Sequence, residues 1–185
     1  MTAAMESGRV VAVSRSAKHE FSKSQLETIG LIKGRGVDGD CHAGVTVQHL
    51  SRIRRDPTQP NLRQVYLLAT ELHEELMTAG YDVRPGDLGE NILTAGIDLL
   101  ALPTRTRLTF ASGAVVEVTG LRNPCVQIDR FKAGLLGHVV GRTEGGDIVR
   151  RAGVMGVVLE AGAVRVGEQV MVTFPVGAPV PLRPV

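Results

Sequence analysis

The chain has 185 residues, 43% hydrophobic and 22% charged, with a formal net charge of +2, which suits one domain of ordinary size with a sizeable core. A pI near 8.7 without a concentrated basic face, and only 3% aromatics with no Trp, argue against nucleic acid as a partner. No apolar run reaches the ~18 residues of a membrane span, no leader-like segment opens the chain and neither of the two cysteines sits in a CxxC pair, so a cytoplasmic protein with reduced thiols and no membrane contact is expected.

With so few aromatics, Val, Leu, Ile and Ala must build the core, and 22 Gly and 9 Pro point to short strands joined by tight turns. Residues 9–14, RVVAVS, read as an opening strand, and 16–24 as a polar loop. Residues 31–43, LIKGRGVDGDCHA, read as irregular backbone, and 51–60 as another loop, in which Arg52, Arg54 and Arg55 form a solvated basic cluster. Residues 64–68 predict a strand leading into a short helix from Thr70. There Thr70 would cap, Glu71, Glu74 and Glu75 would suit the positive end, and Leu72 and Leu76 would share a face until Gly80 ends the helix.

Residues 85–91, PGDLGEN, predict a second Gly-rich turn, and 106–110 with 115–119 a hairpin. Between 126 and 140, Ile128, Phe131, Leu135 and Val139 fall at helical spacing, weakened by Gly134 and Gly137. Residues 154–159 and 168–174 predict a further strand pair. The expectation is one mostly β domain with a few short helices over 1–174, then a Pro-rich extended tail over 175–185.

Gly34, Gly36 and Gly39 spell GxGxxG, but Asp40-Cys41-His42-Ala43-Gly44 follows, where a dinucleotide site needs a helix to begin. The Rossmann reading is rejected. Cys41, His42 and His49 lack the CxxC or HxxxH spacing of a structural zinc site and read as loop residues. There is no GxSxG elbow and no HExxH helix, so hydrolase and metalloprotease classes have no support. Asp38, Asp40 and Glu90 either serve acid/base roles or brace glycine turns. Cys125 closes TGLRNPC between a strand and a predicted helix. A nearby Arg and the stiff Pro124 would favour and aim a thiolate, and the plain alternative is a buried, inert thiol.

Four ordered blocks carry a resemblance to a known family: Gly36 to Gly44 (GVDGDCHAG) to its GxxGDxHxG loop, Pro85 to Ile92 to its GxxGEN block, Arg122 to Cys125 to its R-x-P-C element, and Gly153 to Gly167 to its closing hairpin. On these the chain resembles free-standing bacterial MOSC proteins, relatives of the C-terminal domain of molybdenum-cofactor sulfurases, over roughly residues 9–174. The resemblance implies a β-barrel-like fold and a functional Cys125, similar to the thiolate that ligates molybdenum in amidoxime-reducing proteins and hydroxylaminopurine reductases.

By the same resemblance the molybdenum cofactor is the expected cofactor, with Arg122, Asn123, Asn91, Glu90, Asp40, His42 and Lys23 around it and a small N-hydroxylated molecule as substrate. The alternative is a sulfur carrier that loads a persulfide on Cys125 from a pyridoxal-phosphate-dependent cysteine desulfurase. Neither a pyridoxal phosphate site nor an electron-transfer domain is recognisable in the chain, so a desulfurase or an electron-donor protein would be a separate partner. A barrel with an inert Cys125, acting as a scaffold, is the third reading.

Overall fold

The computed structural model describes residues 6–185. In chain order, β1 (Ser7–Arg15) opens the fold, followed by β2 (Ser24–Leu26), β3 (Thr28–Ile32), β4 (Gly36–Val37) and one turn of helix, α1 (Leu50–Ile53). β5 (Val65–Ala69) runs directly into α2 (Thr70–Thr78), and β6 (Ile92–Ala95) follows. The hairpin β7 (Arg107–Phe110) and β8 (Val115–Leu121) leads to α3 (Gln127–Phe131) and α4 (Leu136–Val139). A small hairpin, β9 (Val140–Arg142) and β10 (Ile148–Arg150), precedes β11 (Val154–Glu160), β12 (Gly162–Arg165) and β13 (Gln169–Thr173).

Seven strands close into a barrel in the order β1-β6-β5-β11-β8-β7-β13, with β13 returning to β1. Closure removes the exposed strand edges that would otherwise seek partners. Within the ring only β5 and β6 run parallel, and the α2 crossover between them supplies the long connection that a parallel pair needs. Alternation sorts side chains to the two faces. Val65 and Leu67 of β5 join the barrel interior with Val10, Leu108, Val116 and Val170, while Tyr66 and Leu68 point outward. The outward set is covered by Leu72 and Leu76 of α2, Ile128 of α3 and Val139 of α4, which makes a second core on one side of the barrel.

Several elements differ from expectation for identifiable reasons. The segments 154–159 and 168–174 do form strands but do not pair with each other. β12 leaves the barrel between them to pair with β3, and β11 and β13 end up on separate neighbours. The 126–140 helix is broken into two, with Gly134 at φ +83° between them, a conformation that stops a helix and suits glycine. Thr70 does not cap α2: the cap position is Ala69, with no side-chain bond, because the strand continues up to the helix. The segment 31–43 contains the end of β3 and all of β4, and 51–60 contains most of α1.

Residues 175–185 lie along the barrel. Thr104 N–H donates to the Val180 carbonyl (2.8 Å), Leu121 N–H to that of Arg183 (2.8 Å), and Leu182 packs on the interior core. No helix among the described residues is long and apolar enough to cross a membrane.

Candidate functional site

Cys125 sits in the short turn between the end of β8 and α3, half-buried and unpaired. Its thiol donates a hydrogen bond to Gln127 Oε1 at 3.4 Å. The turn is pinned on both flanks: Arg122 N–H donates to the Gly153 carbonyl (3.0 Å) and Ile128 N–H to that of Cys125 (3.0 Å). Asn123 turns away, its Oδ1 accepting from Arg150 Nε at 2.9 Å in the β9–β10 hairpin.

Lys23, Asp40, His42 and Asn91 do come together. Asp40 Oδ2 accepts from Lys23 Nζ at 2.7 Å, Asn91 Nδ2 at 3.0 Å and Ser16 N–H at 3.3 Å, and Oδ1 accepts from His42 N–H at 2.9 Å with His42 Nδ1 at 3.2 Å. Burial disfavours the Asp40 charge, yet His42 and Lys23 overcome it and hold the carboxyl well below its usual range. Asn91 spends its whole side chain on the protein, since it also donates to the Ser14 carbonyl (3.1 Å) and accepts from Tyr66 N–H (3.1 Å). It therefore locks β1, β5 and the Asp40 loop together. Gly86 shows why the second Gly-rich turn is needed: at φ +88° it lies so close to the Lys23 carbonyl that a Cβ would collide with it.

On the other side of Asn91 the polar groups are under-satisfied. The Arg122 guanidinium lies over the Tyr66 ring, 5.0 Å from its centroid, and Arg122 is only 8% exposed. Arg122 Nη1, Tyr66 Oη, Glu90 Oε2 and His73 Nε2 are buried with no hydrogen-bond partner. Glu90 Oε1 accepts from Gly86 N–H at 2.6 Å, but His73 Nε2 stands off at 3.8 Å, beyond hydrogen-bond reach. Burial pushes the Glu90 carboxyl above its usual range, and lowers the His73 imidazole.

Two further arginines join this side, and neither was picked out from the sequence as a site residue. Burial, followed by the charges of Arg52 and Arg122, pushes Arg63 down to about 10, while Cys125 acts in the opposite sense. Arg52 is thus not simply part of a solvated loop: it is half-buried, unlike the exposed Arg54 and Arg55, and its field reaches Arg63. His49 is driven down to about 4, first by burial and then by Arg63. Among the described residues no salt bridge engages Arg52, Arg63 or Arg122. Asn61 positions this segment, since its Nδ2 donates to the His42 and Gly44 carbonyls (2.9 and 3.0 Å) while its Oδ1 accepts from Arg63 N–H (3.1 Å). The only available signal for Arg63 was a charge directly ahead of an apolar strand.

A cleft of about 650 Å³ lies elsewhere, between α2 and the loop after β6, lined by Leu72, Glu75, Ile97, Leu99 and Arg151 among others. A smaller hollow of about 380 Å³, lined by Phe21, Gln127, Arg130 and Phe131, adjoins the Cys125 turn through Gln127.

A closed seven-strand barrel with short helices packed on one side agrees with a MOSC domain, and the model of that family, described as the MOSC domain, matches residues 46–171. The chain belongs to this family. It is similar to YuaD of Bacillus subtilis (strain 168), named as a candidate metal-sulfur cluster biosynthesis protein, with 31% identity over 133 residues that cover 69% of this chain and 66% of that protein's length. The crystal structure of Bacillus subtilis YuaD superposes with a TM-score of 0.75 at 24% identity, covering 91% of this chain and 96% of that one. The structure of YiiM from Escherichia coli shares the fold at a TM-score of 0.56 and 17% identity, covering 93% and 73% respectively.

Proposed function

We propose that this MOSC domain binds the molybdenum cofactor, with Cys125 as the thiolate ligand of the metal and Arg52, Arg63 and Arg122 as the seat of the pterin phosphate. The observation that carries the reading is the set of three arginines without an acidic partner, one with an orphaned buried nitrogen, beside a half-buried thiol. A buried cation without a counter-charge costs several kcal/mol, and a phosphate forked by guanidinium groups relieves that cost. A thiolate is the protein ligand best matched to a soft dithiolene metal centre.

The residues present fit the group. Glu90, whose carboxyl burial shifts above its usual range, has a carboxyl oxygen without a partner that a pterin edge can engage. Lys23, Asp40, Asn91 and the backbone of His42 hold the adjoining loop in place rather than offer free donors. When bound, the cofactor would supply the two-electron reduction of an N–O bond in a small N-hydroxylated molecule, with electrons from a separate donor protein. Two free thiols suit a reducing cytoplasm.

Protein purified from a host that makes the cofactor should contain about one molybdenum per chain by elemental analysis, lost in Cys125→Ser. Arg122→Ala should weaken retention of the cofactor roughly tenfold or more, the worth of a charged hydrogen bond. Metal-free protein from such a host overturns the proposal.

A second reading, a sulfur carrier, draws support from the name of YuaD, a candidate metal-sulfur cluster biosynthesis protein, and from the free, half-buried thiol of Cys125. The Cys125 thiolate would attack the outer sulfur of a donor persulfide, forming Cys125–S–SH and releasing the donor's thiolate. Intact mass after incubation with a cysteine desulfurase and cysteine should then rise by one sulfur atom at Cys125. An unchanged mass with Cys125 freely alkylated rules this out.

A further inference from the structure

Cys41 is the other free thiol of the chain, and the cofactor reading gives it no role. It lies in the loop after β4 beside His42, with Sγ 3.2 Å from His42 Nδ1. The loop between β1 and β2 brings in His19, whose ring meets that of His42 edge-on with centroids 5.3 Å apart. One ligand atom from each of His19, Cys41 and His42 lies within 4.8 Å of the others. We infer that these three side chains form a second metal site, one that takes Zn2+ with solvent in the fourth position.

The donor set selects the ion. A thiolate with two imidazoles suits a borderline or soft ion and disfavours Mg2+ or Ca2+. Tetrahedral bonds of 2.0–2.3 Å place ligand atoms roughly 3.3–3.8 Å apart. Cys41 and His42 are already near that spacing, and His19 is on the surface, where its side chain is free to swing inward by about 1 Å.

The two loops are also held together without the ion. Cys41 N–H donates to the Ser16 carbonyl at 2.8 Å, and Ser16 N–H donates to Asp40 Oδ2 at 3.3 Å. Asp40 Oδ1 lies 3.2 Å from the same His42 Nδ1, so an ion bound there would take the place of that contact. Spacing along the chain concealed the site, because His19 comes from a separate loop 22 residues before Cys41. The inference is independent of the cofactor reading, since Cys125 takes no part in it.

Cobalt reports on such a site through thiolate-to-metal charge transfer. With only two cysteines in the chain, Cys125→Ser leaves Cys41 as the one thiol. Titrating Co2+ into Cys125→Ser should develop a near-ultraviolet charge-transfer band that saturates at about one equivalent and is bleached by Zn2+. His19→Ala in the same background should weaken binding by more than the ~10-fold that loss of even an outer-shell partner costs. No band in folded Cys125→Ser, or a band indifferent to His19→Ala, overturns the site. Should Cys125→Ser fail to fold, Cys41→Ser decides: a band lost there supports the site, and a band that persists on Cys125 overturns it.

Discussion

Asp40 and Glu90 are two acids buried to nearly the same depth, 7% and 1% exposed, on opposite sides of Asn91, and they have opposite fates. Asp40 is surrounded by donors and one ammonium group, and is held as a charged carboxylate. Glu90 receives one backbone N–H and leaves its second oxygen unpartnered, and burial pushes its carboxyl above the usual range. Burial depth alone does not say what an acid does: the donors around it decide. The saturated side braces the loops, and the unsaturated side, with the lone arginines, is where a ligand has something to gain.

The sharpest way to break this contrast is Asp40→Asn, which keeps the shape and removes the charge. It leaves Lys23, whose side chain is 4% exposed, without its counter-ion. Breaking one half of a buried pair costs about 3–5 kcal/mol, so urea unfolding at neutral pH should show the largest loss of any variant considered. The acid limb gives the sign. Asp40 ionises more readily in the folded state, so its contribution is complete above the unfolded value of ~3.9 and fades as pH falls through the folded one. Wild type should lose stability below pH ~4, and Asp40→Asn should lack that part of the decline. A loss under about 1 kcal/mol would mean that the Lys23–Asp40 pair does not brace the fold.

Glu90→Gln should move stability the other way, and by less. Glu90 holds its proton more tightly when folded, so the folded state binds more protons than the unfolded one, and wild-type stability falls as pH rises above the unfolded value of ~4.3. Glutamine keeps the acceptor for Gly86 N–H and cannot ionise. The variant should gain on wild type as pH rises above about 4.3, as read by thermal unfolding across pH. A variant that loses ground as pH rises would mean that Glu90 ionises more readily when folded, as Asp40 does.

The same contrast explains what was legible in the sequence. Strict alternation made the β7–β8 hairpin readable, because each residue's face follows from period two. β12 was missed because Gly162 and Ala163 have no strand signature, and only its pairing with β3 makes it a strand. The thiol and Arg122 were visible because their element is contiguous in sequence. Arg63, Asn61 and His19 were not, since each reaches the site from a distant loop and carries no local pattern. The roles of Asp40 and Asn91 were equally hidden: a motif can name a residue, but only the fold shows that its bonds are already spent.

The arginine side can be sharpened by filling it. His49 is lowered to about 4 by burial first, then by Arg63, His42 and Arg52. A sulfate dianion seated on those arginines would offset their charge while leaving the burial, so the His49 imidazole should recover part of the way towards its ordinary 6.5. The ring proton shifts of His49 followed by NMR against pH, with and without sulfate, measure this directly. Because binding then takes up a proton, linkage requires sulfate affinity to rise as pH falls from about 6.5 towards 4. Arg63→Gln should raise the His49 value without sulfate and remove most of the response to it. If saturating sulfate left the His49 titration unmoved, the anion would be bound away from Arg63, and the orphaned arginines would be a feature of the fold rather than a seat for phosphate.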